Sequence, residues 1–369
     1  MPNEEETMIE TRLEGYGNYP TPVLLIGSGF HRWLQGHRAE NVLSSWSALL
    51  REVATELMVA QPSYSPKSMT LAWEELLLRM GREGYLRPAP PNKQREWVPP
   101  QSRQGNEVEA DARRAAAVLI ASAQTQPLHQ WGRARLFRNL PVSDVISLNF
   151  DLTWAELANA RFTKRYRTHE DNLVTATEYN RLYWHLRLPE GPRVWFPNGS
   201  ALPGGPKIRL GLRDFGLHMH ALAQAFSAFK RWENSARNEL GLTHPNRGGK
   251  ELLRHFDSGA GLHFEDANHW VSRFMLQPLY ILGAGLSPEE QGLWWLLVQR
   301  ARNLARAEAP HEVHILLNRA TATSKEKEFW NRNTEIIKPF WCEDWDNGWT
   351  QVIQIIRGNA SRPLTKAAY

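Results

Sequence analysis

The chain has a single cysteine, Cys342, in 369 residues. One thiol excludes an intramolecular disulfide framework and any four-cysteine zinc site, and it fits a reducing compartment. Long apolar runs are lacking as well: no stretch reaches the roughly 18 consecutive apolar residues of a membrane span. The first ten residues are acidic and polar, unlike a secretory signal. A cytoplasmic protein is therefore expected, with no membrane partner, and the sequon Asn198-Gly199-Ser200 is read as accidental. Charge of one sign is not massed. The net charge is +5, but the arginines are scattered, so no duplex-binding stripe is evident and nucleic acid is not expected as a direct ligand.

What is present suits a substantial core: 42% hydrophobic residues and 16 Trp. The length allows one large α/β domain with an insert, or two domains. The apolar run Val23-Leu24-Leu25-Ile26 breaks into Gly27-Ser28-Gly29-Phe30, a buried strand feeding a glycine turn. Glycine lets backbone approach a phosphate or ribose closely, and the amides opening a following helix favour an anion. The third glycine of a dinucleotide fingerprint is missing, with Leu34 in its place. GxG after a strand is otherwise a common tight turn.

Helical spacing is expected over residues 44–60, 71–80, 110–124 and 131–140. Together they form a largely helical insertion at about 40–140, too long for a simple crossover. Residues 85–105 and 244–266 read as loops. Further strands are expected at Asp144–Asp151, Arg193–Phe196, Lys207–Leu210, Pro278–Leu282, Val313–Leu317 and Glu335–Pro339. Helices are expected over 217–233, from Ser287 to about Asn303, and over 349–356. Ser287 is read as an N-cap with Pro288 at the first helical position. Strands alternating with helices predict a parallel sheet covered on both faces, with ligands beyond the strands' carboxyl ends. Those ends carry Gly27-Ser28-Gly29, Asn149-Phe150-Asp151, Asn198-Gly199 and Gly283-Ala284-Gly285. The expected organisation is an N-terminal segment (1–20), a nucleotide-binding domain (21–358) and a C-terminal tail (359–369). His218 and His220 would point to different faces of a helix, and His269, His311 and His314 form no coherent ligand set, so no metal site is expected.

LLIGSGF, SLNFD, VWFPNGS with IRLG, and YILGAGLSPEEQGLWWLLVQRAR occur in that order across residues 23–302. In these blocks the chain resembles the prokaryotic sirtuin-like family of anti-phage defence. The resemblance implies a Rossmann-like α/β fold and an NAD+ site. It further implies hydrolysis of NAD+ to nicotinamide and ADP-ribose, switched on during infection, often through a partner protein. A sensor or activator partner and a homo- or hetero-oligomer are expected. Deacylation is disfavoured, since deacylating sirtuins carry a zinc module that one cysteine cannot build. Carried over by position, Gly27, Ser28, Gly29 and Phe30 would line the pyrophosphate and nicotinamide ribose. Asn149 would orient the ribose or attacking water, with Asp151 bracing that loop. Gly283, Gly285 and Ser287 would hold the adenosine end, and Gly199 lies in the W-x-P-H-G block.

The resemblance also places a catalytic histidine at position 198, where this chain has Asn198. Asparagine can donate or accept a hydrogen bond but cannot take up a proton near neutral pH. General acid–base help is worth about 10²–10⁴-fold, so binding with impaired turnover is expected. His31 is the nearest candidate for a replacement base, against its reading as a surface or helix-start residue. Asn149 is also a natural turn cap, and Asp151 an N-cap. The alternative function is a catalytically impaired subunit that binds NAD or ADP-ribose and regulates assembly.

Overall fold

The computed structural model describes residues 21–35, 41–62, 69–89, 94–100, 105–123, 132–137, 140–154, 182, 185–187, 191–201, 208–243, 248–286, 290–304 and 312–361. Its strands are β1 (Val23–Ile26), β2 (Tyr85–Leu86), β3 (Trp97–Val98), β4 (Asp144–Ser147), β5 (His185–Arg187), β6 (Arg193–Trp195), β7 (Leu279–Leu282), β8 (Val313–Asn318) and β9 (Lys338–Cys342). Seven of them form one sheet in the order β5-β6-β4-β1-β7-β8-β9, while β2 and β3 pair separately. Every pairing from β6 to β9 is parallel; only β5 runs antiparallel, against β6. The chain lays down β1, then β4 and β6 to one side, and then crosses to β7, β8 and β9 on the other. This is the doubly wound, Rossmann-like order, and its direction reverses between β1 and β7.

Strands buried on both faces need apolar side chains both up and down, which is why β1 and β7 read as continuous hydrophobic runs; β4 is equally buried but has only Val145 and Ile146 between Asp144 and Ser147. Val23, Leu25, Ile146 and Ile281 face one cluster. It is covered by α5 (Leu212–Glu239), α6 (Gly249–Asp257), α8 (Trp270–Leu276) and α9 (Gln291–Leu304), with the short α7 (Phe264–Ala267) between them. Leu24, Ile26, Val145 and Leu282 face the other. There α1 (Gly29–Leu34), a 3-10 turn at Gly132–Phe137 and α11 (Trp345–Ser361) supply Phe30, Trp33, Phe137 and Trp349. Helix α10 (Ser324–Arg332) joins β8 to β9 and opens with a complete capping box, Thr323 with Glu326.

The insertion has its own apolar cluster. Helices α2 (Trp46–Glu56), α3 (Met69–Glu83) and α4 (Gly105–Ala123) bury Leu49, Val53, Trp73, Leu76, Ala112 and Ala116 together. Phe150, Ile208 and Leu210 of the main domain complete it. Arg113 of α4 clamps the junction, pairing with Asp214 at 2.6 Å and with Glu109.

The elements depart from the sequence expectations in several places. Residues 208–210 are not a strand; Arg209 N–H donates to Asn198 O, Leu210 N–H to Asp214 Oδ2 at 3.2 Å, and Ile208 O accepts from Arg113. Residues 249–257 and 264–267 of the expected loop are helical, because Leu252, Leu253 and Phe256 recur at helical spacing and are buried. Residues 85–86 and 97–98 form the small β2–β3 hairpin within the other expected loop. The last strand runs over Lys338–Cys342 rather than 335–339.

Candidate functional site

The carboxyl ends of β1 and β4 carry a cleft of about 310 Å³, its open mouth included. Its polar side consists of Ser28, from the turn after β1, and Asn149 and Asp151, from the turn after β4. The insertion forms the opposing wall with Trp46 and Leu49 of α2 and Ile120 of α4. The Trp46 and Phe150 rings stand 5.8 Å apart, tilted by 45°. Two turns that are far apart in sequence thus meet because their strands are neighbours, Val23 to Ile26 pairing with Asp144 to Ser147.

Asn149 is buried and donates through Nδ2 to the Gly27 carbonyl at 3.1 Å, locking the β4 turn to the β1 turn. Its Oδ1 has no hydrogen-bond partner among the described residues. Ser28 begins α1 without a capping bond from its side chain. Asp151 is more constrained. Oδ1 accepts from the Thr153 amide at 2.9 Å, and Oδ2 lies 2.7 Å from His31 Nε2. Burial pushes this carboxyl upward, but the attraction and hydrogen bond of His31, with the Thr153 bonds, outweigh it and leave the pKa below its usual 3.8. The carboxylate is ionised at neutral pH.

His31 is not a surface residue. It is 0% exposed, and its Nδ1 has no hydrogen-bond partner among the described residues. As the third residue of α1 it is turned inward against the β4 turn. One oxygen of Asp151 thus closes the turn onto Thr153 while the other holds His31.

Phe30 does not line the cleft. Its ring is fully buried, 5.2 Å from Phe137 and 5.6 Å from Trp154, so a ligand would have to displace core packing to touch it. Gly27 and Gly29 serve a close loop-to-loop contact. A Cβ on Gly27 would fall 2.7 Å from Ala284 Cα, and one on Gly29 would fall 2.8 Å from Gly283 O. Gly283 itself adopts φ +64°. The crevice at the reversal between β1 and β7, where such folds open for ligands, is filled by this contact. Gly285 has open space around a Cβ. Ser287 and Pro288 lie outside the described residues.

Asn198 also stays out of the cleft. Its Nδ2 donates to Leu148 O at 3.1 Å, bracing the β6 turn against the end of β4. Gly199 sits at φ +86° in that turn, closed by its amide on Phe196 O. The cleft therefore unites Ser28, Asn149 and Asp151 but not Asn198 or Gly283. The expectation of four turns around a common cavity is met by two. Trp46, Leu49 and Ile120 were not legible as site residues, because only tertiary packing carries the insertion over these strand ends.

Sheet order and a polar cleft beyond the strand ends define an α/β protein of Rossmann-like architecture. Among the described residues no His, Cys, Asp or Glu group is arranged to hold a metal ion, and no helix is long and apolar enough to cross a membrane. No model of a known protein family matches the chain, and no curated protein matches it.

Proposed function

We propose that the cleft binds the nicotinamide-ribose end of NAD+ and hydrolyses its N-glycosidic bond, yielding nicotinamide and ADP-ribose. The observation carrying this reading is the convergence of Ser28, Asn149 and an ionised Asp151 in one cleft at the ends of β1 and β4. The sequence blocks that resemble those of sirtuin-like defence proteins support it. Breaking the C1′–N bond builds positive charge on the ribose, and a fixed carboxylate in a partly buried site stabilises that charge. A pyridinium base departs as neutral nicotinamide and needs no proton from the protein. The missing histidine at 198 is then less damaging than a lost base in a reaction with a poor leaving group. Ser28 and Asn149 would hold ribose hydroxyls or the attacking water. A sensor or activator protein and assembly into oligomers, in a defence setting, belong to the same proposal.

The test is release of nicotinamide from NAD+ by the purified chain, alone and with the product of its neighbouring gene. Asp151→Asn is expected to lower turnover by about 10²-fold or more, in the range of lost electrostatic stabilisation. No release in any activated state rejects the enzyme. A second reading is favoured by one observation: both Asp151 oxygens are already engaged. A non-catalytic subunit would bind NAD+ or ADP-ribose in calorimetry without turnover.

A further inference from the structure

The turn after β1 has the composition of a phosphate loop, but its amides are largely committed. Gly27 N–H donates to Leu282 O at 3.1 Å and Gly29 N–H to Gly283 O at 2.8 Å. Phe30 and His31 N–H donate to Gly27 O and Ser28 O. A diphosphate needs several amides converging on it, and here four point at carbonyls of the protein itself. Room is also short. The tight packing of Gly27 and Gly29 on Gly283 and Ala284 occupies the place where a pyrophosphate would cross from β1 to β7.

Charge points the same way. Among the described residues lining the cleft there is one carboxylate, Asp151, and no Lys or Arg. A phosphate entering beside Asp151 would meet like charge with nothing opposite to offset it. The walls of the cleft divide by chemistry, with Trp46, Leu49 and Phe150 apolar and Ser28 and Asn149 able to bond hydroxyls.

We infer that the cleft recognises a phosphate-free N-ribosyl nucleoside, the base against Trp46 and Phe150 and the ribose on Ser28 and Asn149, leaving any phosphates outside. The inference rests on the nicotinamide-releasing reading and narrows its substrate class. The step balances without phosphate. The C1′–N bond breaks with its electron pair going to the pyridinium nitrogen, and water oxygen bonds to C1′. The surplus proton passes to solvent.

The experiment compares nicotinamide riboside, nicotinamide mononucleotide and NAD+ on the full chain, reading nicotinamide release and calorimetric affinity. Where remote groups contribute to catalysis, truncated substrates lose kcat. The expected result is a riboside kcat/KM within about 5-fold of that for NAD+, and Trp46→Ala lowering both alike. NAD+ cleaved at least about 100-fold better than the riboside would overturn the inference while leaving the hydrolase intact. If no substrate is cleaved, the hydrolase falls and affinity decides. Riboside binding within about 5-fold of NAD+ then keeps the nucleoside cleft, and weaker or absent riboside binding removes it.

Discussion

Asp151 and His31 show how much one carboxylate can be asked to do. The acid sits where two turns meet, ionised because His31 and Thr153 offset its burial. It is thereby both an anchor for the β4 turn and the only formal charge on the described cleft wall. Gly27, in the neighbouring turn, has little freedom to change. A methyl there would press on Ala284 Cα and Gly283 O at 2.7 Å, both backbone atoms that cannot rotate away. Gly27→Ala is therefore expected to destabilise the fold by about 1–3 kcal/mol, as overpacked cores do. Urea unfolding checks this: a midpoint unchanged from the parent would show that the two turns separate easily. These contacts could not be read from the sequence, because a GxG turn looks alike whether it faces a ligand or another loop. The burial of His31 was equally hidden, since a single position has no periodicity.

Among the elements, α8 carries a second buried histidine with a different consequence. His269 is 0% exposed and accepts the Ser272 amide on Nδ1 at 3.2 Å, capping the helix. Burial lowers its pKa from 6.5 to about 4. The unfolded chain takes up a proton near pH 6.5, whereas the folded one resists until about 4. The stability due to the neutral ring is thus complete above 6.5 and is lost as pH falls toward 4. The loss amounts to about 3 kcal/mol over that window. Denaturant unfolding at pH 7 and pH 4.5 should show a smaller difference in His269→Gln than in the parent; an equal difference would assign the acid sensitivity elsewhere. At this scale the sequence was informative where burial is two-sided. β1 and β7 stand out as apolar runs, and the helices expected over 44–60, 71–80 and 110–124 correspond to α2, α3 and α4. It failed where elements are short or polar. β5 has three residues, and α6 is hidden in a Gly- and His-rich stretch whose helical stripe is only Leu252, Leu253 and Phe256.

For the whole molecule, the sheet and the insertion are two apolar cores joined across the cleft. The join is polar at its edge: Arg113 reaches Asp214 and Glu109, and Glu74 accepts the Leu212 amide. Arg113→Ala removes the cation and leaves Asp214 and Glu109 facing each other, both largely buried. Faster amide exchange in residues 105–123 and 208–214 is expected, with β1 and β7 unchanged. Uniform acceleration across the sheet would mean that the two cores unfold as one. The parallel architecture was legible because strand and helix patterns alternate along the chain. The cleft's apolar wall was not, because nothing in residues 44–60 or 110–124 marks which strand ends they will cover.

Among the described residues the sheet stops at β9, which pairs with β8 alone, and Pro339 stands within it opposite Ile315. Proline has no amide hydrogen to offer a visiting strand, and the exposed Lys338 beside it adds a charge at the rim. Strand-by-strand growth from one molecule to the next is thereby discouraged at this border.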